Sequence, residues 1–224
     1  MERFDSAIDK FLLRDVTLTS ETGIISVFGL KTHLIAEKLF ESICLYNSGI
    51  DPEVFESRKP DVYKMLEHYA KVGAYIATIT DSYSKVYDVG CGIGLPLLAY
   101  SSLTGKNAVG IDSDWNQINL AKGVDKMLDS KVHFLQQNVE NILTSKNVGK
   151  DDFVLYCGRA EWLTTFQSDL VKETGCTAVF STLAKTAEQV PEYVNLVASK
   201  SLAHIKDVFF EEKEPDRLVF VAKK

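Results

Sequence analysis

The chain has 224 residues, of which 46% are hydrophobic and 25% are charged, and its formal net charge at pH 7 is −6. This composition excludes a disordered, collagen-like or low-complexity chain, and the length allows a core that needs no disulfide or metal. The acidic balance disfavours a protein that binds nucleic-acid phosphates along its whole length.

The same sequence indicates the compartment and argues against a membrane or a metal. No apolar run approaches the ~18 residues that span a bilayer, and the N-terminus lacks the apolar stretch of a signal peptide. The four cysteines are far apart, form no CxxC pair and have no histidine at ligand spacing. We therefore expect reduced thiols, a cytoplasmic location, no membrane partner and no metal site.

The first part of the chain is predicted to be mostly helical. Apolar residues recur at helical spacing over Phe4–Leu12 and over Leu34–Ile43. A third apolar stripe runs over Val62–Ile76, and Pro60 just before it predicts that the helix begins there. The Thr17–Gly29 segment, rich in Ser, Thr and Gly, is predicted to be a loop.

From Lys85 onward, strand and helix patterns alternate. Strands are predicted at Val86–Val89, Ala108–Ile111, Val132–Leu135, Phe153–Tyr156 and Thr177–Ser181. Helices are predicted at Leu95–Leu103, Asn116–Leu128, Leu163–Glu173 and Pro191–His204. Asp114 and Gln117 have the spacing of a capping box at the start of the second of these helices. The alternation predicts right-handed βαβ units and a parallel sheet with helices on both faces.

The C-terminal residues predict a departure from this pattern. Two β-rich segments, Lys206–Glu211 and Arg217–Ala222, are joined by a linker too short for a parallel crossover, so they are predicted to form an antiparallel hairpin. The predicted fold class is therefore α/β, with an open, mostly parallel seven-stranded sheet that has one antiparallel strand near the C-terminus. A helical N-terminal extension over residues 1–80 precedes the α/β domain over residues 81–224.

The most informative segment joins the first predicted strand to the helix after it. It contains Gly90, Gly92 and Gly94 at alternate positions, and Asp88 precedes the first glycine. Glycine allows unusual backbone dihedrals and lets a ligand approach the backbone N–H groups at a helix N-terminus. The spacing is GxGxG rather than the GxGxxG of dinucleotide sites, and an acidic residue there suits a cationic ligand better than a pyrophosphate.

This segment resembles motif I of the class I methyltransferases that use S-adenosyl-L-methionine. The resemblance implies that Asp88 lies near the amino end of the methionine moiety. It also implies that Gly90, Cys91, Gly92 and Gly94 pass under the ligand. A purely structural strand-to-helix turn is the alternative interpretation of the same residues.

The residues after the second and third strands extend the predicted cofactor site. Asp112 ends the second strand, where a carboxylate can accept hydrogen bonds from both ribose hydroxyls and would repel a 2′-phosphate. The resemblance places Ser113 beside the adenine ring, on which Trp115 is a candidate to stack. It also assigns Asn138 and Val139 to the adenine amino group and ring, although a turn-forming Asn and a surface Trp are the alternatives.

The segment after the fourth strand is where the resembling family places substrate-facing residues. Cys157 is assigned to the cofactor site, Tyr156 and Trp162 are candidate pocket walls, and Glu161 is a candidate base or cation partner. The Asp/Asn-Pro-Pro-aromatic motif of the amino-methylating branches is absent, so the sequence identifies neither the methyl acceptor nor a catalytic residue.

The resulting hypothesis is methyl transfer from S-adenosyl-L-methionine, with a protein side chain or small molecule favoured over nucleic acid as acceptor. Two alternatives stay open at this point. One is a non-catalytic, cofactor-binding scaffold subunit with the same fold, and the other is an NAD-dependent oxidoreductase. The glycine spacing and the C-terminal hairpin count against the oxidoreductase, and the oligomeric state is not predicted.

Overall fold

The computed structural model describes residues 27–46, 55–138, 141, 147–157, 174–182, 204–210 and 218–223. The helices are α1 Thr32–Tyr46, α2 Phe55–Ile79, α3 Leu95–Thr104 and α4 Trp115–Leu128, with a 3-10 turn at Gly29–Lys31 before α1. The strands are β1 Val86–Val89, β2 Ala108–Asp112, β3 Val132–Gln136, β4 Phe153–Cys157, β5 Thr177–Thr182, β6 His204–Phe210 and β7 Leu218–Lys223.

Strands β1 to β5 form a parallel sheet in the order β3-β2-β1-β4-β5. Strand β1 lies in the middle of this group, with Tyr87 opposite Val109 of β2 and Val154 of β4. All four residues of β1 are buried, as expected for a strand whose two faces are both covered. The α/β architecture and the parallel sheet predicted from the alternating pattern are confirmed.

Beyond β5 the sheet continues through β7 and then β6. Strand β7 is antiparallel to both neighbours, and its pairing with β6 is irregular between Ile205 and Asp207. The helix predicted at Pro191–His204 is wrong in its last residue. His204 belongs to a strand and pairs with Lys223, because β7 offers it a backbone partner. The rest of that helix, and the one predicted at Leu163–Glu173, lie outside the described residues.

Helices α1 and α2 share one apolar core with the sheet and the later helices. Ile35 of α1, Leu66 of α2 and Val86 of β1 belong to the same cluster of buried side chains. Helix α2 packs closely on α3 at Gly73, where an added Cβ would lie 2.4 Å from the Pro96 carbonyl oxygen. The division at residue 80 stays a prediction.

The predicted start of the long N-terminal helix is wrong. Helix α2 begins at Phe55, and Pro60 lies inside it instead of at its first turn. Because proline has no backbone N–H, the helix loses one hydrogen bond at this position. The additional turn brings the Phe55 ring to 5.2 Å from the Phe40 ring of α1, between ring centroids, and this packing favours the longer helix.

The predicted loop at Thr17–Gly29 is wrong at its C-terminal end. Val27 and Phe28 are helical and buried, because their apolar side chains join the core. The earlier part of this loop, and the helix predicted at Phe4–Leu12, lie outside the described residues. No helix within the described ranges is long and apolar enough to cross a bilayer.

Candidate ligand-binding site

The glycine segment forms the turn between β1 and α3. Gly90, Gly92 and Gly94 have φ values of 74°, 53° and 69°, a region that residues with a Cβ rarely adopt. The backbone N–H groups of Gly90 and Cys91 both donate to the Ile111 carbonyl, at 2.8 Å and 3.0 Å. These two hydrogen bonds hold the turn against the end of β2.

The three glycines differ in what lies beside them. A Cβ on Gly90 would meet no atom of the described residues within 4 Å, whereas one on Gly94 would lie 2.3 Å from Cε1 of Phe134. The N–H of Gly94 donates to the Cys91 carbonyl at 2.8 Å. Gly90 therefore presents an open backbone face, while packing against Phe134 accounts for the glycine at position 94.

Asp112, at the end of β2, accepts backbone hydrogen bonds with both carboxylate oxygens. Oδ2 accepts from the Gly92 N–H at 2.8 Å, and Oδ1 accepts from the Asp114 N–H at 2.9 Å. Burial raises the pKa of Asp112, although these hydrogen bonds act in the opposite direction. Because each carboxylate oxygen can accept more than one hydrogen bond, capacity remains for the predicted ribose hydroxyls.

Asp88, in β1, is the most unusual side chain of the site. It is fully buried, and neither carboxyl oxygen has a hydrogen-bond partner among the residues that the structure describes. Burial raises the pKa of Asp88 well above its ordinary value, and the charge of Asp112 raises it further. A buried polar group without a partner is costly, and in native proteins it often marks a functional position.

Cys91 lies within the turn as a buried thiol. Its Sγ donates to the Gly92 carbonyl at 3.4 Å. Burial, together with the charges of Asp88 and Asp112, raises the pKa of Cys91 well above its ordinary value, so the thiol form is favoured. Since the thiolate is the reactive form of cysteine, this environment argues against a nucleophilic role for Cys91.

The residues predicted to lie beside adenine are at the surface where they are described. Ser113 and Asn138 are exposed and follow β2 and β3 respectively. Trp115 is the first residue of α4 and is 53% exposed, and Lys122 Nζ lies 5.7 Å from its ring centroid. Val139 lies outside the described residues.

The end of β4 contributes one buried and one half-buried side chain. Tyr156 is buried, which raises the pKa of its hydroxyl well above the ordinary value, and Cys157 is half-buried at the last position of the strand. Glu161 and Trp162 lie outside the described residues, so their roles stay predictions. Within the described ranges no group of three or more His, Cys, Asp or Glu could hold a metal ion.

One residue that the sequence did not indicate for this site is Gln117. The predicted capping box is confirmed for Asp114, whose Oδ1 accepts from the Asn116 N–H at 2.8 Å, but it is wrong for Gln117. The Gln117 amide is hydrogen-bonded to Ser42 of α1, and Asp112 accepts from the Asp114 N–H that a capping box would use. Local spacing could not reveal a partner so distant in sequence.

Phe134 is a second such residue. It lies opposite Gly110 in the pairing of β2 with β3, and a Cβ on Gly110 would lie 2.6 Å from its ring. The ring thus occupies space left by both Gly110 and Gly94. A glycine inside a strand is a signal for such a close approach, and the sequence of β2 contains it.

No protein-family model and no curated protein matches the chain. Several solved structures, in contrast, match the chain. Magnesium protoporphyrin IX methyltransferase from Synechocystis PCC 6803, with bound SAH, superposes with a TM-score of 0.56, at 14% identity over 84% of this chain and 99% of that one. A SAM-dependent methyltransferase from Aquifex aeolicus has a TM-score of 0.51, at 17% identity over 77% of this chain and 93% of that one.

A third solved structure is matched over a smaller part of its own length. The tRNA (uracil-54, C5)-methyltransferase of Pyrococcus abyssi, in complex with S-adenosyl-L-homocysteine, has a TM-score of 0.55 and 13% identity. The match covers 70% of this chain and 38% of that one. The chain thus has the fold of the class I S-adenosylmethionine-dependent methyltransferases, and the α/β fold with a parallel sheet that the sequence resemblance implied is confirmed.

Proposed function

We propose that the chain binds S-adenosyl-L-methionine at the turn between β1 and α3 and transfers its methyl group to an acceptor. The observation that supports this most directly is the buried Asp88 carboxyl, which has no hydrogen-bond partner among the described residues and precedes the open face of Gly90. A ligand ammonium group is the partner that this carboxyl lacks. Two of the structures with the same fold contain S-adenosylhomocysteine.

The residues present fit this cofactor. In the proposal, Asp88 binds the ammonium, Asp112 binds the ribose hydroxyls, and the backbone at Gly90 lies against the ligand. Ser113 and Asn138 lie on the adenine side. The bound cofactor supplies a methyl group already activated by the sulfonium, so the protein has mainly to hold the acceptor in line and exclude water.

The proposal also covers the complete sheet, the cellular compartment and the class of acceptor. The antiparallel pairings of β7 with β5 and β6 support a seven-stranded sheet with one reversed strand. None of the four cysteines forms a disulfide, which supports a reducing, cytoplasmic compartment. The net charge of −6 supports a protein side chain or a small molecule over nucleic acid as acceptor.

Titration calorimetry of the full chain with S-adenosylhomocysteine (SAH) and with NAD tests the cofactor. We expect SAH to bind and NAD not to bind, and the reverse result would favour the oxidoreductase alternative. Transfer is tested with methyl-labelled S-adenosylmethionine and cell extract, divided into protein, nucleic-acid and small-molecule fractions. Binding of SAH without transfer to any fraction would favour the scaffold alternative.

Two matched glycine variants test the location of the site. Gly90 and Gly105 have φ values of 74° and 66°, and at neither position does an added Cβ come within 4 Å of an atom in the described ranges. Gly90→Ala and Gly105→Ala should therefore cost a similar strain, about 1 kcal/mol of folding stability. Only Gly90→Ala places a methyl group on the proposed ligand face, so only it should weaken SAH binding; equal SAH affinities would contradict the placement.

A further inference from the structure

Helices α1 and α4 are joined by a buried pair of polar side chains. Ser42 Oγ donates to Gln117 Oε1 at 2.6 Å, and Gln117 Nε2 donates to the Ser42 carbonyl at 3.4 Å. Gln117 is fully buried and Ser42 is 5% exposed. The amide therefore makes both hydrogen bonds with one residue, and this closed arrangement fixes its orientation.

Gln117 also lies beside the proposed ligand site. Its Oε1 lies 3.9 Å from the position that a Cβ on Gly92 would occupy. The N–H of Gly92 in turn donates to Asp112 Oδ2. Hydrogen bonds thus join Ser42 on α1 to Gln117, and Gly92 to the carboxylate at the end of β2, and the Gln117 amide lies next to Gly92 between these two bonded pairs.

The polar character of the Ser42–Gln117 pair indicates a role beyond the packing of the two helices. The helices around it are joined mainly by apolar side chains, and Ile35 and Ile118 are fully buried nearby on α1 and α4. A buried amide–hydroxyl pair adds little net stability compared with apolar residues of the same shape, but it restricts geometry strongly. The pair therefore fixes the position of the Gln117 side chain, whose Oε1 lies beside the Gly92 turn.

We propose that Gln117 is a positioning residue of the ligand site. Held by Ser42, it supports the Gly92 turn in the conformation that the cofactor requires, and it couples helix α1 to cofactor binding. This inference rests on the proposed function, because the ligand is the one proposed above. It adds a residue pair and an energetic link between the N-terminal helices and the site.

The test compares Ser42→Ala with a matched control, Ser101→Ala. Ser101 is also a buried serine, and its Oγ accepts from the Lys131 N–H at 2.9 Å. Lys131 directly precedes β3, at the amino ends of the parallel strands, whereas the glycine turn follows the carboxyl end of β1. Both variants should lower the midpoint of urea unfolding. Only Ser42→Ala should raise the SAH dissociation constant, by roughly 5-fold or more, and Ser42→Thr should restore it.

A second variant guards against a loss of folding. The double variant Ser42→Ala/Gln117→Met removes both polar side chains of the pair, so neither is left buried without the other, and it should fold while binding SAH as weakly as Ser42→Ala. In hydrogen exchange, SAH should slow the amides of α1 in the wild type but much less in Ser42→Ala. Wild-type affinity in the double variant would overturn the positioning role, whereas failure of the wild type to bind SAH would overturn the proposed function itself.

Discussion

At the scale of single residues, the carboxyl group of Asp88 connects stability with pH. Burial, and then the charge of Asp112, raise its pKa in the folded protein well above 3.8. Within the part of the chain that the structure describes, the other ionisable groups that interact with it are Cys91 and Tyr156. In the unfolded chain the pKa is near 4, so above about pH 4 the folded state keeps a proton that the unfolded state has lost. The stability contributed by this proton is therefore lost as pH rises.

Asp88→Asn should remove this part of the pH dependence. Asn has nearly the same shape but cannot ionise, so the variant should lose less stability than the wild type as pH rises from about 4.5 to about 7.5. The measurement is the free energy of urea unfolding without ligand at several pH values. Any constant cost of burying the amide cancels in this comparison, and a difference between the two proteins that stays flat with pH would contradict the assignment.

Binding of SAH should release a proton from Asp88. The ligand ammonium favours the charged carboxylate and so lowers the pKa of Asp88, which means that SAH affinity should rise with pH over the same range. Calorimetry near pH 6 in two buffers of different ionisation enthalpy detects the proton. Asp88→Asn should bind about 10- to 100-fold more weakly and show no dependence on buffer. Identical heats for the wild type in both buffers would argue against Asp88 as the ammonium partner.

At the scale of elements, the contact between α2 and α3 depends on one glycine. A Cβ on Gly73 would lie 2.4 Å from the Pro96 carbonyl oxygen and 2.6 Å from the Ala99 Cβ, and neither atom can move away by rotation of a side chain. The two helices would have to separate. The same substitution in α4, at Gly123, would bring the Cβ within 4 Å of no atom in the part of the chain that the structure describes.

Gly73→Ala and Gly123→Ala should therefore change stability in opposite directions. Helix propensity alone favours alanine by about 1 kcal/mol at both positions. At Gly73 the steric cost should exceed this gain and lower the free energy of unfolding by about 1–3 kcal/mol. At Gly123 the gain should remain as about 0.5–1 kcal/mol of added stability. Chemical denaturation of both variants checks the pair, and stabilisation by Gly73→Ala would show that the helices are not in close contact.

At the scale of the whole molecule, the five parallel strands differ in how completely they are covered. Every residue of β1 is buried, and four of the five in β4 are, whereas β3 alternates and lies at the edge of the sheet. Local opening requires less exposure of apolar surface at an edge than in the centre. The centre should therefore open only when the whole domain unfolds.

Native-state hydrogen exchange with added denaturant should show this order. The amides of β1 and β4 should exchange with the free energy and denaturant dependence of global unfolding. Those of β3 should exchange through smaller openings with weaker dependence on denaturant. Protection of β3 equal to that of β1 would contradict the order of stability inferred from burial.

Much of the architecture could be predicted from local sequence features. The starts of β1, β2, β3, β4 and β5 were predicted correctly because short apolar runs between turn residues are local signals, and the Asp114 cap was predicted for the same reason. The start of α2 was predicted wrongly at Pro60. The contact that favours the longer helix, between Phe40 and Phe55, is made across helices and leaves no periodic signal.

For the proposed ligand site, the sequence by itself determined where the backbone turns and which polar residues end the strands. Glycine spacing and strand ends are local properties, so the order of residues is enough to propose Gly90 and Asp112 for the site. Only the tertiary structure decided that Gly94 packs against Phe134, that Asp88 has no hydrogen-bond partner among the described residues, and that Gln117 bonds to Ser42. These features depend on side chains from distant parts of the chain. The local sequence does not show which of these side chains come into contact in the folded protein.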